Sequence, residues 1–437
     1  MNGRAKPFSL KTLVALVIAN MIGAGVFTTS GYALADLGSP HAVMMAWVVG
    51  GFVAILGALS YGMLAANVHE SGGEYLYLSR NIHPAAGFVA GWVSMLAGFT
   101  GAIAFASMTF ESYALHNTLS PAWLHEGMLA SAVILLAGLL HGLKAAPGAW
   151  IQNILVMIKL VALSGFITYA VMQPPQSLAF EIPVFSVDQP LLAFATSLMW
   201  ISFSFSGFNA AIYIAGEAKN PKINVPRALL FGTLITAAFY MLLNAVFVYW
   251  PPLDAVRGTT EVAAVAAEAI GGKTFSDILR LIIALALVTS VFSMMMAGPR
   301  VYAQMAKDGV FPKCFRHDGE VPKSAIMLQV VMALAMVWVS DLRDLLSYLG
   351  FTLSLSAAFT VSTLFKTYHN TFIKPRFYPY APILFVGFTL LFAGLAAIRN
   401  PWECLAGVVS VLSALGVYYA SEEVRQRKER RQLYGTS

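Results

Sequence analysis

Ile18-Ala19-Asn20-Met21-Ile22-Gly23-Ala24-Gly25-Val26-Phe27-Thr28-Thr29-Ser30 is the stretch on which the reading of this chain turns. It interrupts a long apolar run with an Asn and two glycines and sets hydroxyl side chains just beyond them. Glycine pairs in a membrane helix ordinarily serve close helix packing. A second stretch changes that reading: Trp200-Ile201-Ser202-Phe203-Ser204-Phe205-Ser206-Gly207-Phe208-Asn209 is again polar and flexible in mid-run, with aromatics interleaved. A helix unwound at such points exposes N–H and C=O groups that no longer bond within it.

The runs around these stretches belong to an integral membrane protein. Of 437 residues, 58% are apolar and only 11% are charged, against about 25% charged in ordinary globular chains. Apolar runs bounded by charges or Pro fall near 12–36, 41–67, 85–114, 126–143, 149–172 and 191–216, then 226–250, 276–299, 324–340, 344–365, 377–398 and 402–421. Each is long enough to approach a bilayer core of ~30 Å at 1.5 Å per residue. Twelve spans are therefore expected in an all-α fold. With the N-terminus inside, 21 Lys and Arg fall on inside segments and only Arg257, Lys273, Arg280, Arg343 and Arg399 outside. That asymmetry places both termini in the cytoplasm of a cell whose plasma or inner membrane the chain crosses repeatedly. The net charge of +6 is then a topology signal rather than a nucleic-acid surface. A cleaved signal peptide ending at Ala33-Leu34-Ala35 is rejected, since an apolar run of roughly 24 residues exceeds the ~7 to 15 of such a segment.

The two polar breaks lie five spans apart, and an odd number reverses orientation. Spans 1 to 5 (residues 1–172) and 6 to 10 (191–365) are thus expected to be inverted repeats whose broken spans 1 and 6 meet, as in secondary transporters. Spans 11 and 12 (377–421) are peripheral, and 422–437 form a basic cytoplasmic tail. Amides around Gly23, Ala24 and Gly25, at the positive start of the half-helix near Val26, suit a carboxylate; carbonyls ending the preceding half-helix suit an ammonium. Such a site would hold an α-amino acid by its backbone.

Five segments carry a family resemblance: Met21-Ile22-Gly23-Ala24-Gly25-Val26-Phe27, Gly57-Ala58-Leu59-Ser60-Tyr61, Ser71-Gly72-Gly73-Glu74-Tyr75-Leu76-Tyr77, Lys219-Asn220-Pro221, and Arg300-Val301-Tyr302-Ala303-Gln304-Met305-Ala306-Lys307-Asp308-Gly309. In this order the chain resembles the amino acid, polyamine and organocation (APC) transporter superfamily, and looks like a bacterial relative of the L-type amino acid transporters. Met63 and Ala24 depart from it, standing where the family commonly has Glu and frequently Ser. The resemblance implies the leucine-transporter-like fold, a 5+5 inverted repeat plus two peripheral helices, and transport by alternating access. It further implies that Gly23, Ala24 and Gly25 take the substrate carboxylate, that the carbonyls of Met21, Phe203 and Ser206 take the amino group, and that Asn209 lies beside the site. Phe203 would be its aromatic gate, although in an aromatic-rich helix the residue taken alone reads first as core. The Ser71–Tyr77 and post-Arg300 segments read as structural or gating elements on the inner side.

Lys159 sits near the centre of span 5, where a Lys costs about 2.5 to 3.5 kcal/mol to insert. One compensation is pairing with backbone carbonyls. The other is that its ammonium replaces a bound cation between spans 1, 5 and 8, with Thr289, Ser290 and Ser293 as hydroxyl neighbours. Sodium-independent superfamily members resemble the latter arrangement. Apart from Lys159 no ionisable residue falls near mid-span, Glu111 lying toward the outer end of span 3, and Gly98, Gly101, Ala102, Ser354 and Ser356 leave neutral space. The expectation is sodium-independent uptake of neutral L-amino acids. Alternatives are an amino acid exchanger, with cationic amino acids among its candidate substrates, and a membrane-embedded amino acid sensor. No cofactor, metal or enzymatic chemistry is expected: the eight His show no metal-ligand spacing. The loop Leu115 to His125 has no Cys, so no disulfide-linked heavy chain is expected there.

Overall fold

The structure is a computed structural model describing residues 8–68, 72–115, 125–143, 149–175, 189–316, 322–369 and 375–434. Ser71, which opens the Ser71–Tyr77 motif, and most of the Leu115–His125 loop lie outside them.

The described chain is helical, its only β pairing an isolated bridge between Phe8 and Ala218. Helices α1 (Leu10–Met21) and α2 (Ala24–Leu37) form the first broken unit. They are followed by α3 (Pro40–Asn67), α4 (Gly73–Asn81), α5 (Pro84–Ala114), α6 (Met128–Gly142) and α7 (Ala149–Val171). The second broken unit is α8 (Pro190–Ser204) with a 3₁₀ helix, Ala210–Glu217. Then come α9 (Pro221–Tyr249), α10 (Val262–Lys307), α11 (Lys323–Val339), α12 (Leu342–Thr367), α13 (Tyr380–Arg399) and α14 (Pro401–Tyr434). Proline opens α3, α5, α8, α9 and α14, where its missing N–H costs no helical bond and its fixed φ suits the first turn. Side chains cap others: Ser9 Oγ accepts the Thr12 amide at 3.3 Å, and Asp341 Oδ1 the Asp344 amide at 2.9 Å.

Eight of these helices are long and apolar enough to cross a membrane, and the bent pair α1 and α2 makes a ninth unit. Three shorter apolar helices, α6, α8 and α11, stand where spans 4, 6 and 9 were expected. Within α10 the backbone departs from helix at Gly272, φ +75°, so the stretch beyond it matches the expected eighth span. Two features differ from the sequence reading. The Ser71–Tyr77 motif is not simply a loop, because Gly73 begins helix α4. Span 3 is not regular either: Ser94–Gly101 within α5 is wound as a π-helix.

The helices pack so that the two broken units face each other, α2 lying on α8. Around them α1 packs on α9, α3 on both α8 and α9, α5 on α10, α11 and α12, α6 on α10 and α11, and α7 on α10. Helices α13 and α14 cover the outside of α3, α5, α8 and α12. Buried polar side chains tie the frame: Trp47 donates its indole N–H to Ser30 Oγ at 2.9 Å, and Ser30 donates to Asn244 Oδ1 at 2.5 Å. Thus α2, α3 and α9 share one fully satisfied network, as buried hydroxyl and amide groups require.

Candidate binding site at the two helix breaks

Helix α1 ends at Met21 and α2 starts at Ala24, bent by 43°. Between them Ile22 has ψ 85° and Gly23 is extended (φ −126°, ψ −159°). Gly23 caps α2 without a side chain, so no side-chain oxygen covers the amides of the first turn. These amides carry the positive end of the helix dipole.

The second break comes against the first. Helix α8 stops at Ser204 and the chain turns through Phe205–Asn209, with Gly207 at φ +103°. A Cβ on Gly207 would lie 2.9 Å from the carbonyl carbon and oxygen of Asn20, so a side chain there would meet the backbone of α1. Gly25 is equally confined: a Cβ on it would come within 2.7 Å of Ser204 Oγ and 2.9 Å of Ser204 Cα. Thr29 Oγ1 and Ser204 Oγ share a hydrogen bond of 3.0 Å one turn further on. The two broken units therefore touch along Gly25, Thr29 and Ser204.

Tyr240 of α9 locks this junction, and it was not singled out from the sequence. Its hydroxyl lies 2.5 Å from the Met21 carbonyl, to which it donates, and 3.0 Å from the Ser204 carbonyl. A single O–H thus sits between the chain ends of both first half-helices. The sequence signal was a lone Tyr in the apolar middle of a span, where a hydroxyl needs a partner.

Of the three residues Gly23, Ala24 and Gly25, Gly25 is the one packed against Ser204 of the second break. The Met21 carbonyl is committed elsewhere: it accepts both the Tyr240 hydroxyl and the Gly23 amide at 2.8 Å, which uses its two lone pairs. The Phe203 carbonyl accepts the Ser206 amide at 2.9 Å within the turn and also meets the Phe205 amide. The Phe203 ring is half-buried and meets Phe105 of α5 edge-on at 5.2 Å, whereas Phe205 is buried against Trp47 and Tyr240. The two rings therefore face different neighbours. Asn209 ends the turn of the second break, and its side-chain amide donates to Glu74 Oε1 at 3.1 Å.

Lys159 reaches the site directly. It is 3% exposed, and its Nζ donates to the Ile22 carbonyl at 2.5 Å. The partner is a backbone carbonyl, as the structural alternative supposed, and that carbonyl belongs to the break, as the cation-site alternative supposed. The hydroxyls of Thr289 and Ser290 bond back to the Ala286 carbonyl of α10, at 2.7 and 3.1 Å, and Ser293 lies one turn beyond Ser290 on the same helix.

Span 3 shows one residue in a structural role and one expectation changed. Glu111 is a structural cap, accepting the Gly127 amide at 2.6 Å and the Ala130 amide at 2.7 Å where α6 begins. Gly101 gives little free space, because a Cβ there would be 2.5 Å from Leu349 Cδ2; its smallness lets α12 approach α5. Among the described residues no group of His, Cys, Asp and Glu could hold a metal ion.

The geometry agrees with what the chain matches. Residues 8–413 match the family model described as amino acid permease. The chain is 24% identical to the serine/threonine exchanger SteT of Bacillus subtilis (strain 168), over 97% of this chain and 98% of that protein. It is 26% identical to the Asc-type amino acid transporter 1 of Mus musculus, over 95% of this chain and 81% of the relative. It is 24% identical to the large neutral amino acids transporter small subunit 2 of Homo sapiens, over 95% and 80% respectively.

Proposed function

The chain belongs to the amino acid permease family, and from that premise we propose that it is a sodium-independent secondary transporter of neutral L-amino acids working by alternating access. The observation that carries this reading is the junction itself: first-turn amides of α2 without a side-chain cap, Gly25 standing against Ser204 of the second break, and Lys159 on the Ile22 carbonyl. The amides take the substrate carboxylate, and the turn after Phe203, with the Ser206 carbonyl, takes the amino group. Phe203, free of the Trp47 and Tyr240 packing that holds Phe205, closes over the ligand against Phe105.

The helix neighbours support an inverted repeat of five spans plus five, twelve in all with α13 and α14. Exchanging each unit for the one five spans on sends α1 on α9 into α8 on α3, α6 on α10 into α11 on α5, and α7 on α10 into α12 on α5. Each of these pairs is in contact. Substrate specificity follows from charge. The side chains that bond across the junction are Ser204, Thr29, Tyr240 and Lys159, of which only the last is ionisable in the working range. A lysine or arginine substrate would bring a second cation beside Lys159, and a glutamate an anion without its own partner. The basic end of the bundle, with both termini, faces the cytoplasm of a plasma or inner membrane.

A second reading, obligatory exchange of one amino acid for another, is favoured by the end-to-end match to a protein named as a serine/threonine exchanger. Competition of labelled neutral amino acid uptake tests the substrate class. Excess alanine, serine or leucine should compete, and lysine, arginine or glutamate should not. Equal competition by the charged amino acids contradicts the neutral assignment.

A further inference from the structure

The side chain that gathers the most distant parts of the molecule is the Glu74 carboxylate, which the transport reading above does not use. Glu74 lies on α4, outside the spans, and is 7% exposed. Its Oε1 accepts the Tyr61 hydroxyl of α3 and the Asn209 amide at 3.1 Å, and its Oε2 accepts the Ser356 hydroxyl of α12 at 3.0 Å. One carboxylate thus ties α4 to α3, to the turn after α8, and to α12, on the side of the bundle that carries the Arg300–Gly309 segment. These partners are a phenol, an amide and a hydroxyl; no ammonium or guanidinium stands among them.

The surroundings complete the picture. From the 3₁₀ helix the Tyr213 ring lies against Gly73, and from α12 Thr360 bonds Tyr61. On α4 itself Tyr75 donates to Asp308 Oδ2 of α10 at 3.2 Å, and Lys366 of α12 donates to the Asn81 carbonyl at 2.9 Å, both away from Glu74. Tyr77 and Arg80 are the other titratable groups of α4, and His83 caps α5 through Nδ1. A buried carboxylate with no cation is costly to keep ionised. Burial pushes the Glu74 pKa above the usual carboxylate value, while the bonds from Tyr61, Ser356 and Asn209 pull it back. Every partner donates, so the ionised form is the one this closed arrangement fits.

We propose that Glu74 is a proton-binding latch: ionised, it holds the basic end of the bundle closed, and a proton taken up from that side releases it. The reasoning rests on the transport reading only for what the latch controls. Bonds to a carboxylate are roughly twice as strong as bonds between neutral groups. Protonation of one Glu74 oxygen therefore weakens all three ties together and removes an acceptor position. Because Asn209 follows the second break by two residues from Gly207, loosening α4 frees the same turn that faces the substrate.

Two readouts test this on the full-length protein. In proteoliposomes, wild-type turnover should rise as the pH on the α4 side falls, with a one-proton midpoint above the ordinary carboxylate range. Glu74→Gln, a permanently neutral acceptor, should make turnover independent of that pH. Ser356→Ala removes a donor to the charged form, so its midpoint should move to higher pH; this variant decides the matter if Glu74→Gln fails to fold. Independently of transport, pH-difference infrared spectra of purified protein should show a carboxylic acid C=O band on acidification that Glu74→Gln lacks. A pH profile unchanged in Glu74→Gln, or a midpoint that stays or falls in Ser356→Ala, overturns the latch. An absence of transport with the infrared band present overturns the transport reading instead.

Discussion

Lys159 shows how much one residue decides. Its ammonium stands on the carbonyl at which α1 ends, so removing it leaves a break without the cation that holds it. A hydrogen bond to a charged group contributes about 1.5 to 3 kcal/mol, which corresponds to roughly ten- to a hundredfold in rate or affinity. Lys159→Ala should therefore lower uptake by about that factor, and replacing sodium with choline at constant pH should leave wild-type uptake unchanged. A collapse of wild-type uptake in choline would show that an ion, not Lys159, occupies this place. The two phenylalanines of the second break separate in the same way. Phe205 is packed between Trp47 and Tyr240, so Phe205→Ala opens a core cavity and should cost about 3 to 5 kcal/mol of stability. Phe203→Ala should leave the melting temperature nearer the wild-type value and reduce transport more strongly. Paired thermal unfolding and uptake assays of both variants check this, and equal effects in both assays would return Phe203 to the core.

At the scale of elements, the close approach of α2 and α8 is the feature most sensitive to a single atom. The Cβ of Gly25→Ala would press on the Ser204 backbone, and overpacking of this kind costs about 1 to 3 kcal/mol. This variant should lose transport before it loses its fold, measured as uptake against thermal stability. Glu111 gives a purely structural contrast. Glu111→Ala strands two amides at the start of α6, about 1 to 3 kcal/mol of desolvation, and Glu111→Gln, which keeps one acceptor, should fall between. The breaks were legible only as a pair, because glycines alone read as helix packing and a second polar, flexible stretch falls five spans on, and Lys159 because a mid-span charge demands a partner. The α4 helix was not legible: the Ser71–Tyr77 segment read only as a structural or gating element, and the contacts that hold its helix in place are tertiary, the Tyr213 ring on Gly73 and the three donors on Glu74. Nor was the π-helix of α5, whose extra residue per turn leaves no mark on the hydropathy. Asn209 was placed beside the break by family resemblance, and from the end of that turn its amide reaches Glu74.

The whole molecule carries polar ties at both ends. Opposite Glu74, Asp36 at the end of α2 pairs with Arg343 of α12 and, at 2.8 Å, with Arg399 of α13, while Arg343 also lies over the Trp200 ring at 5.2 Å from its centroid. Helix α12 thus contributes to both, through Arg343 at one end and, toward the other, through Ser356 at its middle and Lys366 on the Asn81 carbonyl of α4. Alternating access requires that ties at one end give way while those at the other hold, with the site at the breaks between them. The measurement that tests the central claim most directly is counterflow in proteoliposomes. Vesicles preloaded with unlabelled serine or leucine should transiently accumulate the labelled amino acid above the level of empty vesicles, and equally so in sodium and in choline buffer. Accumulation that needs sodium, or that appears only with lysine, arginine or glutamate as the preloaded substrate, would contradict the account.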